Sequence, residues 1–185
     1  MNRLQLMKLH ALLAAFVLPV ALMFAVTGSL YTWGIKGSYT NDTYEVKLAA
    51  PLQADQSSLQ SLAKAELAQL GLSEPEGQAK VKRAGDHFLL EWTGSSKDVI
   101  LEPGSNPKVA LLTIKHTTWY RNLVQLHKAK GGDVFKVYAA AFAVALGLLL
   151  VSGLVMALQT PKLKGATLAT SALGVLSFLL VVWLS

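Results

Sequence analysis

LHKAKGGDVFKVYAAAFAVALGLLLVSGLVMALQTPKL, running from Leu126 to Leu163, is the stretch whose reading decides the fold. It opens with a histidine and two lysines and carries no charge from Val137 to Pro161. It then closes on a Pro-Lys-Leu-Lys turn. About 20 apolar residues at about 1.5 Å rise each cover the ~30 Å hydrocarbon core of a bilayer. The stretch therefore reads as a membrane-spanning helix, and the rest of the chain takes its place relative to a membrane.

Two further runs are uncharged. The first, Leu9 to Ile35, is free of charge apart from His10 and follows Arg3 and Lys8. A basic start and an apolar centre also describe a secretory signal peptide. This run continues through Leu30, Tyr31 and Trp33 with no Ala-x-Ala cleavage site after it, so it reads as a retained anchor. Pro19 sits mid-span, where neighbouring helices can tolerate it, and Gly28 allows close helix approach. The other run, Gly165 to Ser185, is just long enough to span.

Charge is unevenly placed. All 11 acids lie between Gly34 and Asp133, beside 12 of the 17 Lys and Arg, so that segment is nearly neutral. Arg3, Lys8, Lys136, Lys162 and Lys164 supply most of the net charge of +6. Those bases flank apolar runs, where they anchor helices and set topology, so nucleic acid is not an expected partner. The chain has no cysteine, which excludes disulfides, thiol catalysis and thiolate metal sites.

Placing Arg3 and Lys8 with Lys162 and Lys164 in the cytoplasm satisfies the positive-inside rule. The segment between the first two spans then lies outside, with Tyr31, Trp33, Phe135, Tyr138 and Trp183 as an outer interfacial belt. Lys136 falls on the wrong side and can snorkel outward.

The outer segment reads as one small α+β module. Thr43 to Leu48 alternates as a short strand. Ser57 and Gln60 have capping-box spacing, Leu59, Leu62, Ala63, Leu67 and Leu70 recur at helical spacing, and Gly71 closes the helix. Ala79–Ala84 and His87–Thr93 flank a Gly85-Asp86 turn, and Lys97–Glu102 and Lys108–Ile114 flank Pro-Gly-Ser-Asn-Pro, giving two hairpins. One helix against three or four antiparallel strands is expected. Thr117 to Lys130 places Trp119, Leu123 and Leu126 on one face and reads as an amphipathic helix at the outer membrane surface. It feeds the second span through Gly131-Gly132.

The expected fold is thus a mainly α membrane protein: three transmembrane helices with an inserted small α+β extracytoplasmic module. Residues 1–35 form the first span, 36–116 the module, 117–133 the interfacial helix and 134–185 a two-helix transmembrane hairpin.

His10 and His127 are the candidate cofactor-binding residues, because ionisable groups at membrane spans lean toward function. In the expected topology they sit about a bilayer apart, ~30 Å, and do not ligate one metal ion within a protomer. A homodimer pairing two copies of His127 would bring two ligands together. His116 and His87 read as strand-end residues, with Glu91 on the same side of its strand as His87. No catalytic constellation and no metal cluster stands out. Thr27-Gly28 and Ser152-Gly153 read as helix-packing residues. The run from Gly165 to Ser171 reads as a helix start suited to close packing.

These pairs carry a resemblance. Leu9-His10 at the head of the first span, Thr27-Gly28 near its far end, Leu126-His127 before the second span and Ser152-Gly153 within it are together similar to the PepSY-associated transmembrane proteins. Ala11 and Leu12 stand where that family often has an arginine and an aromatic. The resemblance implies a multi-pass protein of the bacterial inner membrane with a PepSY module outside. It also implies b-type haem on membrane histidines, here His10 and His127, in an iron-reductase-like electron-transfer component serving extracytoplasmic iron or a flavoprotein partner. The alternative expectation is a non-catalytic accessory subunit whose module binds a membrane or periplasmic partner protein.

Overall fold

The computed structural model describes residues 3–85 and 87–185. Three helices have the length and hydropathy to cross a membrane: Leu4–Thr32, Gly132–Leu158 and Pro161–Leu184. The first belongs to α1 (Arg3–Thr32), and the others are α4 (Gly132–Leu158) and α5 (Pro161–Leu184). Each exceeds the roughly 20 residues that a ~30 Å apolar slab requires. Only two residues separate α4 from α5. The expected Pro-Lys-Leu-Lys turn is instead the first turn of α5, with Pro161 at its start. Proline suits that position because its missing N–H would lack an intrahelical partner there anyway.

Between α1 and α4 lie β1 (Tyr39–Lys47), α2 (Gln56–Gln69), β2 (Ala79–Ala84), β3 (His87–Thr93), β4 (Lys97–Pro103), β5 (Val109–Thr117) and α3 (Trp119–His127). The sheet is antiparallel with order β1-β5-β4-β3-β2. It has five strands where three or four were expected. The extra length comes from β1, which pairs along its whole run with β5, from Tyr39 opposite Thr117 to Lys47 opposite Val109.

Alternation along the strands builds the core. Val46, Ala79, Leu90, Trp92, Val99, Leu101, Ala110, Leu112 and Ile114 face α2, which contributes Leu59, Ala63 and Leu67 at intervals of four residues. Fully burying a leucine in such a core is worth about 1.5–3 kcal/mol. The α2 cap differs from the expected Ser57–Gln60 box. Asp55 is the N-cap: its carboxylate accepts from Ser58 N–H at 2.8 Å and from the Ser57 and Ser58 hydroxyls. A carboxylate accepts these donors better than a serine two residues later could. The helix end is as expected, with Gly71 N–H on Ala68 C=O and Leu72 N–H on Leu67 C=O, the paired bonds of a Schellman closure. The β2–β3 hairpin turns through Gly85; Asp86, the other residue of that expected turn, lies outside the described residues.

Contacts divide the chain into two units, residues 22–138 and residues 1–21 with 139–185. The first holds the α+β module, α3 and the end of α1. The second holds the start of α1, most of α4 and all of α5. No residue of α5 is buried, as expected of a helix whose apolar side chains face lipid.

Candidate functional site

α3 is fastened to the sheet by polar groups. Thr118 caps it, and its buried face presents Val124 and Gln125. Tyr39 of β1 donates to Asp98 Oδ2 of β4 at 2.8 Å and accepts from Arg121 Nη2 at 2.8 Å. The Arg121 guanidinium lies 4.6 Å from the Tyr39 ring centroid. Gln125 Nε2 donates to both Asp98 oxygens at 3.2 Å, and Gly94 N–H donates to Oδ1 at 3.1 Å. Burial, then the Asp98 bond, raises the Tyr39 pKa, with Arg121 opposing. Burial lowers that of Lys130, with the Asp98 charge opposing. The expected amphipathic helix is thus shorter than 117–130. It ends at His127 and has its buried side on the module, while Trp119 stays exposed.

This mooring positions His127, the last residue of α3. Its Nδ1 lies 2.8 Å from Thr27 Oγ1. Thr27 is buried, and its hydroxyl points back at the carbonyls of Met23 (2.6 Å) and Phe24 (3.4 Å). A hydroxyl has one hydrogen. The hydroxyl either donates to ring Nδ1 or, with its hydrogen on its own helix, accepts from Nδ1–H; the short Met23 contact favours the second. In the neutral imidazole Nε2 then holds the lone pair. Gly28 makes room: a Cβ there would stand 3.2 Å from His127 Cε1. The Phe24 ring packs on the imidazole at 4.8 Å between centroids. A cavity of about 330 Å³ adjoins, lined by Thr27, Gly28, Tyr31, Thr32, Val124, His127 and Lys128.

The other unit repeats the device. His10 Nδ1 lies 2.9 Å from Ser152 Oγ, and Ser152 donates to the Leu149 carbonyl at 3.1 Å. With the Ser152 hydrogen kept on Leu149, His10 carries Nδ1–H and its Nε2 is bare; with that hydrogen on the ring, the tautomer is reversed. A Cβ at Gly153 would stand 3.5 Å from His10 Cε1. A second cavity of about 330 Å³ adjoins it, lined by Met7, His10, Met156, Ala157, Thr160 and Leu163.

The two Leu-His pairs therefore bond crosswise to the two hydroxyl-Gly pairs. Reading Thr27-Gly28 and Ser152-Gly153 as packing residues missed that each pair also hydrogen-bonds and seats a histidine ring. The signal was present as a hydroxyl followed by glycine in the first and second spans, but nothing local says which ring each receives. His10 and His127 belong to different units, and each is held by a hydroxyl of its own unit. His116 Nε2 lies 3.4 Å from Asp42 across β1 and β5, and Glu91 pairs with Lys82 rather than with His87. Among the described residues no three His, Cys, Asp or Glu converge as metal ligands.

A neutral imidazole with Nδ1–H held by a fixed acceptor offers Nε2 in the state that ligates metals, the acceptor setting ring orientation and basicity. No curated protein and no solved structure matches the chain. The family model described as "PepSY-associated TM region" matches residues 1–160, a span that contains both Leu-His pairs and both hydroxyl-Gly pairs. The chain, a multi-pass membrane protein, belongs to that family.

Proposed function

We propose that the protein is a redox component of the bacterial inner membrane whose metal centres are carried on Nε2 of His10 and His127. The supporting observation is the clamp repeated at both histidines. A back-bonded hydroxyl holds Nδ1–H, a glycine seats the ring, and a cavity lies beside it. A ring that only packs has no need of a fixed tautomer. The positive-inside pattern favours a cytoplasmic N-terminus and an outer module.

A b-type haem is the group that the family resemblance implies. Each site offers it one imidazole, and among the described residues no second histidine stands beside either. His10 and His127 would each hold such a group through one imidazole nitrogen, and a second imidazole would come from another copy of the chain. When bound, such a group would supply one-electron transfer, serving extracytoplasmic iron or a flavoprotein partner. The test is the absorption spectrum of the detergent-solubilised protein, expressed with ample haem and recorded oxidised and dithionite-reduced. A reducible Soret band is expected, diminished by His127→Ala and abolished when His10 and His127 are both replaced by alanine. A protein without that band rules the haem reading out.

The accessory reading has one observation in its favour. The module carries a cavity of about 330 Å³ at its β2–β3 end, lined by residues that include Arg83, His87, Phe88 and Glu102, which suits a peptide side chain of a partner protein. Charge reversal at Arg83 that leaves partner co-purification intact would remove it.

A further inference from the structure

We propose that the cavity beside His10 is a site for a soft monovalent metal ion, copper(I), held by one imidazole nitrogen and two thioether sulfurs. This rests on the reading of His10 Nε2 as a metal ligand and names the metal at that end. The observation that carries it is convergence. Two of the four methionines of the chain, Met7 and Met156, line the same cavity of about 330 Å³ as His10.

Helical spacing explains the convergence. Met7 lies three residues before His10 on α1, so the two share a face. Met156 lies four residues after Ser152 on α4, on the face that receives the His10 ring. The helices meet at the His10–Ser152 bond, and each brings a methionine to the lining of the cavity about one turn away from it. Thr160 donates to the Met156 carbonyl at 2.9 Å, which ties the turn carrying Met156 to the end of α4.

The ligand set selects the ion. Thioethers are soft, polarizable and neutral, and with imidazole they suit Cu(I). Neither carboxylate nor thiolate lines the cavity. A dication would therefore bring two uncompensated charges to a membrane span, whereas a monovalent ion brings one. The cavity beside His127 offers a comparison: the Met23 thioether touches the Thr27 hydroxyl at 3.9 Å, but no methionine lines the cavity itself. One copper per chain follows, at the His10 end alone.

The experiment titrates the full-length protein in detergent with Cu(I), anaerobically, against the chromophoric chelator bicinchoninate. One Cu(I) per chain is expected, with sulfur scatterers in the copper X-ray absorption spectrum. Met7→Leu/Met156→Leu, which conserves volume, loses the ion. Ser152→Ala weakens binding about 10–100-fold, as expected when a ligating histidine loses its supporting contact. Met23→Leu, whose side chain does not line the cavity, binds as the parent does. A double leucine variant that retains copper, or a parent that takes none, overturns the site. A parent that takes no copper but shows the reducible Soret band overturns the site alone and leaves the redox reading standing. Copper held by a protein without that band supports the site and removes the haem.

Discussion

The imidazole of His127 rests on Gly28 so closely that a Cβ at residue 28 would stand 3.2 Å from its Cε1. At Gly153 the matching distance to His10 is 3.5 Å, ordinary van der Waals contact. The two clamps share their chemistry but differ in tightness. Gly28→Ala is expected to displace the His127 ring and lower the thermal midpoint, while Gly153→Ala leaves the His10 ring in place. Imidazole ¹⁵N shifts of both histidines, read with the unfolding midpoint in detergent, check this. Equal responses at the two positions would contradict it.

Thr27 holds the tautomer of His127. Thr27→Val keeps the shape, removes the acceptor and leaves the ring Nδ1–H without its bond, at about 1–3 kcal/mol. Thr27→Ser restores the acceptor. The expected outcome is a mixed Nδ1–H and Nε2–H population in the valine variant and a single Nδ1–H tautomer in the parent and the serine variant, measured by ¹⁵N NMR.

Asp55 makes the module acid-sensitive. Hydrogen bonds from the Ser57 and Ser58 hydroxyls and the Ser58 N–H lower its pKa to about 2. The folded value lies below the unfolded one, about 3.9. Its contribution to stability is therefore present above pH ~4 and is lost as pH falls toward 2. Asp55→Asn keeps a capping oxygen but cannot ionise, so its midpoint should vary less between pH 4 and 2 than that of the parent. Thermal scans across that range decide the point.

Asp98 gathers the groups that moor α3, and it is buried. Asp98→Ala leaves the Tyr39 hydroxyl, the Gln125 amide and the Gly94 N–H without that acceptor. A cost of about 3–5 kcal/mol is expected, as when one partner of a buried charged set is removed. Faster hydrogen exchange along residues 119–127 would report it. Tyr39→Phe is milder, about 1 kcal/mol. Because the Tyr39 pKa is raised on folding, its contribution is complete below the unfolded value, about 10, and is lost as pH rises through the folded one. Tyr39→Phe should therefore remove part of the alkaline destabilisation of the parent.

Much of this molecule could be read from its residues in order. A slab of hydrocarbon about 30 Å thick demands some 20 apolar residues, so the runs after Lys8, Lys136 and Lys164 could hardly be anything but spans. Alternation in Thr43–Leu48 and the four-residue rhythm of Leu59, Ala63 and Leu67 likewise announce strand and helix, because each pattern follows from a local backbone period. The errors were also local. Asp55 outcompeted Ser57 for the N-cap, and Pro161 began a helix where a turn was expected.

What no local rule could supply is which distant groups meet. His127 finds Thr27 across 100 residues, and His10 finds Ser152 across 142. The hydroxyl-Gly pairs look alike in sequence, and only the packing of α1 against its neighbours assigns each to a ring. The proton on Nδ1, the bare Nε2 and the thioethers beside His10 all follow from that assignment. Spans and strands were determined by the chain's own periodicity. The chemistry at the two histidines was decided by tertiary structure, because a hydrogen bond is directional and its partner here lies on another helix.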